Sequence, residues 1–223
     1  MNNAANAKKR ENPARQPCNM GSTEPDGPPH RRGAPTLQQP PCNIVVAGLG
    51  GQGVLTATDI IADVALRAGY DVKKSEIKGM SQRGGSVACD VRFGAEILSP
   101  MVPAGEADFL LALEAAQLEP NRHLLRPGGV TIEPSAIDAA QLPQKKMLNV
   151  ALLGALSARL PMAEKAWLES VRSAFDAKYF EANRQAFLLG RARQGAAIIT
   201  PAPGAGATPE KGRPRQDKAA KTP

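Results

Sequence analysis

The chain has 223 residues, 42% of them hydrophobic and only 4% aromatic, and a formal net charge of +7. Its length allows one ordinary domain with chain to spare, and its three cysteines, Cys18, Cys42 and Cys89, exclude a disulfide framework, a zinc set or an iron–sulfur ligand set built from this chain alone. No N-terminal stretch resembles a signal peptide and no apolar run approaches the ~18 residues needed to cross a bilayer, so a cytoplasmic protein with no membrane partner is expected.

The spare residues lie at the two ends. Residues 1–42 hold eight of the 20 prolines and residues 195–223 hold five more, and neither segment has a Phe, Tyr or Trp. Such segments bury too little apolar surface to offset the entropy of ordering them. The expected organisation is a disordered proline-rich extension over 1–42, one domain over 43–194, and a disordered basic tail over 195–223. The tails carry +6 of the net charge, which leaves about +1 on the domain. A nearly neutral domain with basic tails argues against nucleic acid as a partner.

The domain opens with Asn43-Ile44-Val45-Val46-Ala47-Gly48-Leu49-Gly50-Gly51-Gln52-Gly53-Val54, a β-branched run ending in a glycine cluster. Branched side chains suit a strand buried on both faces. Gly48, Gly50 and Gly53 fit the G-x-G-x-x-G spacing of a strand–turn–helix unit, whose helix start favours an anion. The same spacing also serves a ligand-free turn. Val54, Leu55, Ala57, Ile60, Ile61, Val64, Ala65 and Leu66 recur at helical steps and predict a helix over about 52–67. A strand follows over 70–77, then a polar, glycine-rich loop over 79–85. Val87, Cys89, Val91 and Phe93 alternate with polar or small neighbours, predicting a strand over 86–93 that could run antiparallel.

A short extended piece is expected at Ile97-Leu98. The run Ala107–Leu113 reads as a central parallel strand, with Glu114 at its carboxyl end. A helix over about 115–126, closed by Pro127-Gly128-Gly129, and a strand at 130–132 come next. Beyond Pro143 the pattern is helical, with a buried helix over 148–160, one starting at 161–164 and one over 177–193. Alternating strands and helices followed by a helical part predict an α/β fold: an open, mostly parallel Rossmann-like sheet flanked by helices, with a helical C-terminal part.

The familiar catalytic constellations are missing. Only His30 and His123 are available, and no G-x-S-x-G elbow or Walker lysine motif occurs. The polar residues concentrate instead in Ser75-Glu76-Ile77-Lys78-Gly79-Met80-Ser81-Gln82-Arg83-Gly84-Gly85-Ser86, which should lie beside the first glycine loop at the strand ends, where open α/β sheets bind ligands. Glu76, 23 positions after Gly53, stands near the place of a ribose-binding acid, and Arg83 next to two glycines could hold a carboxylate or phosphate bidentately. A local ion pair of Glu76 with Lys78 or Arg83 is the bland alternative. The ligand- or interface-loop candidates are Gly48, Gly50, Gly51, Gln52 and Gly53 with Ser75, Glu76, Gly79, Met80, Gln82, Arg83, Gly84 and Gly85; no catalytic residue and no metal ligand is assigned.

These two loops in this order, with Ser99-Pro100 and Gly105-Glu106-Ala107-Asp108 after them, closely resemble the beta subunits of indolepyruvate:ferredoxin oxidoreductases. Those subunits belong to the gamma-domain family of pyruvate and 2-oxoacid ferredoxin oxidoreductases. The resemblance spans about 43–193, and the S-E-x-x-G-M-x-Q-R-G-G form of the second loop points to the arylpyruvate branch. It implies a subunit that completes an enzyme oxidatively decarboxylating arylpyruvates to aryl-acetyl-CoA, with coenzyme A as co-substrate and ferredoxin as electron acceptor. It also implies that thiamine diphosphate, magnesium and 4Fe-4S clusters sit on a large alpha subunit, the expected partner, with no cofactor on this chain. The competing readings are a gamma subunit of a pyruvate or 2-oxoglutarate ferredoxin oxidoreductase, a stand-alone nucleotide-binding Rossmann protein, and a non-catalytic interaction module.

Overall fold

The structure, a computed structural model, describes residues 40–78 and 84–193. The candidates Gly79, Met80, Gln82 and Arg83 and nearly all of the two expected tails lie outside the described residues.

Strand β1 (Cys42–Leu49) leads through the glycine turn into helix α1 (Val54–Arg67), then into β2 (Asp71–Lys78) and β3 (Ser86–Gly94). Strand β4 (Ala107–Ala112), a short helix α2 (Leu118–Asn121) and β5 (Leu125–Ile132) follow, before helices α3 (Leu148–Ser157), α4 (Glu164–Ala174) and α5 (Phe180–Ala192). The five strands form one sheet in the order β2-β3-β1-β4-β5. β1 runs parallel to β4 and β4 to β5, while β3 is antiparallel to both β1 and β2. Four strands therefore point one way and β3 alone is reversed. The α/β class, the mostly parallel sheet and the antiparallel strand at 86–93 all follow the sequence pattern.

β1 is the centre of this arrangement because its side chains can be buried on both sides. Ile44, Val45, Val46 and Ala47 are all 0% exposed. Ile44 and Val46 face the main core with Cys89, Val91, Phe109 and Leu111, under buried residues of α1, α3, α4 and α5. Val45 and Ala47 face a smaller cluster with Leu110, Val102 and Leu125, roofed by residues 95–106 and the helical turns around α2. The sheet is thus covered by long helices on one face and by short segments on the other. Helices α3 and α5 meet backbone to backbone. A Cβ on Gly154 would overlap the Phe187 carbonyl oxygen, and one on Gly190 would overlap that of Ala151.

Three expectations change. The helix over 115–126 is instead a string of short turns, a 3-10 turn at Ala115–Gln117, α2, and a second 3-10 turn at Arg122–Leu124. The strand expected at 130–132 begins at Leu125 and runs through Pro127-Gly128-Gly129. A proline is tolerated there because β5 is an edge strand, where one backbone face needs no ladder partner. Gly129 is needed because a Cβ would stand 2.7 Å from Leu125 Cδ1 and 3.0 Å from the Ala107 oxygen, beside the register shift between β4 and β5. Ile97-Leu98 forms no strand; Arg92 instead fastens this loop by donating to the carbonyl oxygens of Ser99 and Met101. Of the apolar stripe read on α1, Leu55 and Leu66 are exposed.

Candidate functional site

The first glycine loop sits at the carboxyl end of β1. Gly51 (φ 96°) and Gly53 (φ 85°) adopt a backbone conformation that a side chain would strain. Gly53 is the N-cap of α1, which has no side-chain cap and no acidic residue in its first turn. Gly48 is small for a different reason: a Cβ there would lie 2.8 Å from Val54 Cγ2 and 3.1 Å from Leu113 Cβ.

Three amides of this loop are engaged by the chain itself. Leu49 N–H donates to Gln52 Oε1 (2.7 Å), and the Gln52 side-chain amide donates to Glu114 Oε2 (3.0 Å). Gln52 N–H donates to the Leu49 oxygen (3.1 Å), and Gly50 N–H donates to the Gly85 oxygen (2.9 Å). A dinucleotide cradle works by presenting free backbone amides to a pyrophosphate. Here residues 49, 50 and 52 spend theirs on internal bonds, which close the loop into a knuckle.

The Gly50–Gly85 bond brings the end of the second motif against the first loop, as the sequence suggests. Gly84 (φ 88°) and Gly85 turn the chain into β3, and Ser86 Oγ donates to Gln117 Oε1 (2.5 Å). Ser75 and Glu76 do not join this cluster. Glu76 lies opposite Cys89, which lies opposite Val46, so all of β3 intervenes between Glu76 and β1. Two strand spacings amount to about 10 Å, too far for the ribose-binding position next to the first strand. Glu76 pairs with Lys74 at 3.3 Å, and Lys74 bonds Asp59 of α1 as well; the expected partners, the Lys78 side chain and Arg83, lie outside the described residues. Burial pulls the Lys74 ammonium down, but the two carboxylates more than offset it and its pKa is raised. Ser75, adjacent in the strand, faces the other side of the sheet, opposite Asp90.

Three residues near the loops escaped the sequence reading. Glu114 was visible at the end of β4, but nothing in sequence spacing pairs it with Gln52, 62 positions earlier. Gln117, buried in a turn expected to be a surface helix, holds Ser86 across 31 positions. Asn149, at the start of α3, places its side-chain amide where a Cβ on Gly53 would go. Among the described residues no group of three His, Cys, Asp or Glu side chains could hold a metal ion. His123 is exposed to hydrogen bonding only locally, its Nδ1 lying 3.0 Å from the Pro120 oxygen. Burial, with the Glu76 charge assisting, pushes the Cys89 thiol up to about 11, so it is an inert core group.

Residues 43–193 match the family described as pyruvate ferredoxin/flavodoxin oxidoreductase. Among curated proteins, the indolepyruvate oxidoreductase subunit IorB of Thermococcus kodakarensis is 34% identical over 188 residues, covering 66% of this chain and 93% of that protein. Among solved structures, the gamma subunit of a keto/oxoacid ferredoxin oxidoreductase from Geobacter sulfurreducens superposes with a TM-score of 0.59 at 26% identity, covering 70% of this chain and 99% of that one. The 2-oxoglutarate:ferredoxin oxidoreductase of Magnetococcus marinus shares the fold (TM-score 0.63, 23% identity), the match taking in 72% of this chain and 32% of that longer one. The closed glycine knuckle on a mixed five-stranded sheet thus sits in a chain that belongs to the pyruvate ferredoxin/flavodoxin oxidoreductase family.

Proposed function

We propose that this chain is the small subunit of an indolepyruvate (arylpyruvate):ferredoxin oxidoreductase, working as part of a larger assembly. The observation that carries this reading is the likeness to the Thermococcus subunit over nearly that protein's whole length. The internal bonding of the glycine loop supports it against a stand-alone nucleotide-binding protein, because the amides of Leu49, Gly50 and Gln52 are already engaged.

The reaction joins an arylpyruvate and coenzyme A, releases carbon dioxide and an aryl-acetyl thioester, and passes two electrons singly to ferredoxin. Thiamine diphosphate with magnesium supplies the carbanion chemistry of such enzymes, and iron–sulfur clusters supply one-electron transfer. We assign both to a large alpha subunit. This chain's three cysteines cannot provide the four thiolates of a cluster. Its own contribution is a surface: the two glycine-rich segments at the carboxyl ends of the strands, which pack against the partner near the path of 2-oxoacid and coenzyme A. Gly48, Gly50, Gly51, Gln52, Gly53, Gly84 and Gly85 belong to that surface, and Gly79, Met80, Gln82 and Arg83 continue it in sequence. The domain over 43–194 is the working unit, in the cytoplasm, and a heterodimer is its simplest assembly.

The test is anaerobic co-purification from the native extract, followed by dye reduction with indolepyruvate, pyruvate or 2-oxoglutarate in the presence of coenzyme A. A large iron–sulfur partner and a preference for indolepyruvate are expected. Preference for pyruvate or 2-oxoglutarate would move the chain to the gamma-subunit alternative. A lone chain that binds a nucleotide would refute the subunit reading.

A further inference from the structure

We propose that the turn Glu114–Gln117 is a positioning device for both glycine-rich segments, with Glu114 setting the orientation of Gln52 and Gln117 holding the start of β3. The idea rests on the reading that those segments meet a partner subunit, and it assigns a role to two residues outside them.

A glutamine side chain has one accepting end and one donating end. The Leu49 N–H can only donate, so Gln52 must present Oε1 to it, and does so at 2.7 Å. The donating end then requires an acceptor, and Glu114 Oε2 supplies it at 3.0 Å. The reversed amide would set N–H against N–H at one end and carbonyl against carboxylate at the other. Leu49 N–H and Glu114 therefore remove the two-fold ambiguity of Gln52 together, one at each end of its amide. Its charge also lies near the start of α1, where the dipole favours an anion and the helix offers no acidic residue of its own.

Gln117 ties the same turn to the second segment. Its N–H donates to the Glu114 oxygen (2.9 Å), its Oε1 accepts from Ser86 Oγ (2.5 Å), and its own carbonyl oxygen accepts from the Asn121 side chain (2.8 Å). Gly50 N–H to the Gly85 oxygen closes the ring. Leu49, Gln52, Glu114, Gln117, Ser86, Gly85 and Gly50 thus form one circuit. It stands at the carboxyl ends of β1 and β4, where one connection leaves toward β2 and the other toward β5. A shift of any member is felt by both segments, so the circuit fixes the shape of the surface offered to the partner.

The test is a role-swap cycle in the full chain: Gln52→Glu, Glu114→Gln and the double variant. Glu at 52 still accepts from Leu49 but opposes the Glu114 carboxylate. Gln at 114 in the double variant donates to it and remakes the bond with the roles exchanged. Amide hydrogen exchange at Leu49 and Gly50 reads the circuit, and binding to the partner subunit reads its consequence. Gln52→Glu is expected to speed that exchange and weaken partner binding by at least about tenfold each, with the double variant returning both to within about threefold of the parent. Glu114→Gln alone, which keeps an acceptor, should leave the exchange slow. A double variant no better than Gln52→Glu overturns the proposal. So does fast exchange with unchanged partner binding, which would reduce the circuit to a brace. Lack of arylpyruvate turnover in the parent complex would instead count against the functional reading alone, because neither readout uses substrate.

Discussion

At the scale of single residues, the glycine loop separates two reasons for being small. Gly51 has a positive φ but nothing within 4 Å of the place a Cβ would take, whereas a Cβ on Gly53 would run into the Asn149 side chain. Gly51→Ala should cost only the backbone strain, about 1 kcal/mol. Gly53→Ala should cost about 2 kcal/mol or more, because Asn149, whose Oδ1 accepts from Val150 N–H at the head of α3, must also move. Denaturant titration of the two variants checks the order, and equal losses would show that Asn149 yields freely. Asp90 carries a second residue-scale consequence. It is 2% exposed, accepts from Val102 N–H at 2.9 Å, and leaves its other oxygen unpartnered. Burial raises its pKa, against the smaller lowering effects of that hydrogen bond and of Arg92. The folded chain therefore holds this proton more tightly than the unfolded chain, so the group's contribution falls as pH rises from the ordinary aspartate value of 3.8 through the raised one. The stability of Asp90→Asn minus that of the parent should climb across this window and flatten above it. A flat difference from acid to neutral pH would mean that Asp90 titrates normally.

At the scale of elements, what was legible in the sequence is what one periodicity decides. β1 and β4 are apolar runs broken only by Asn43 and Asp108 because both of their faces are buried, and α1 carries a stripe at helical steps, so each could be placed from its own residues. β5 was cut short because Pro127-Gly128-Gly129 reads as a stop, and only the strand order reveals that β5 is an edge, where proline is permitted. Strand order also explains the misplaced Glu76. Its distance from Gly53 in sequence suits a dinucleotide fold, but the chain inserts β3 between β2 and β1, and no local pattern records that insertion. The Gln52–Glu114 and Ser86–Gln117 contacts were hidden for the same reason, since they join residues brought together only by the sheet. The α3–α5 contact is another long-range product, and it is unforgiving. Gly190 faces the Ala151 backbone and Gly154 faces the Phe187 backbone, so a methyl group can be admitted only by parting two helices. Gly190→Ala should lose about 3 kcal/mol, at the upper end of overpacking costs. For a chain of this size that lowers the thermal midpoint by roughly 6–12 °C. A loss under about 2 °C would show that the helices can slide apart without penalty.

At the scale of the whole molecule, the core and the charge occupy different parts of the chain. Every buried residue of the two apolar clusters falls between Cys42 and Phe187, and the family match ends at residue 193. The net charge of +7 comes mostly from outside that span, since residues 1–42 and 195–223 contribute +6 of it. Hydrophobic burial scales with the apolar area removed from water, whereas net charge acts through long-range attraction that salt screens within about 10 Å at 0.1 M. Stability and charge-driven association should therefore be separable by truncation. A chain cut to residues 40–193 is expected to unfold within about 3 °C of the full chain, because no member of either core cluster is removed. It should also leave a cation exchanger at markedly lower salt, since its net charge falls to about +1. Binding to the partner subunit should be unchanged at physiological salt if the strand-end loops form the contact, because those loops lie wholly within the retained span. If instead the shortened chain binds more weakly at low salt and equally well at high salt, the basic tails steer the encounter. A midpoint lowered by more than about 5 °C would place part of the stabilising surface in the removed segments and overturn the separation.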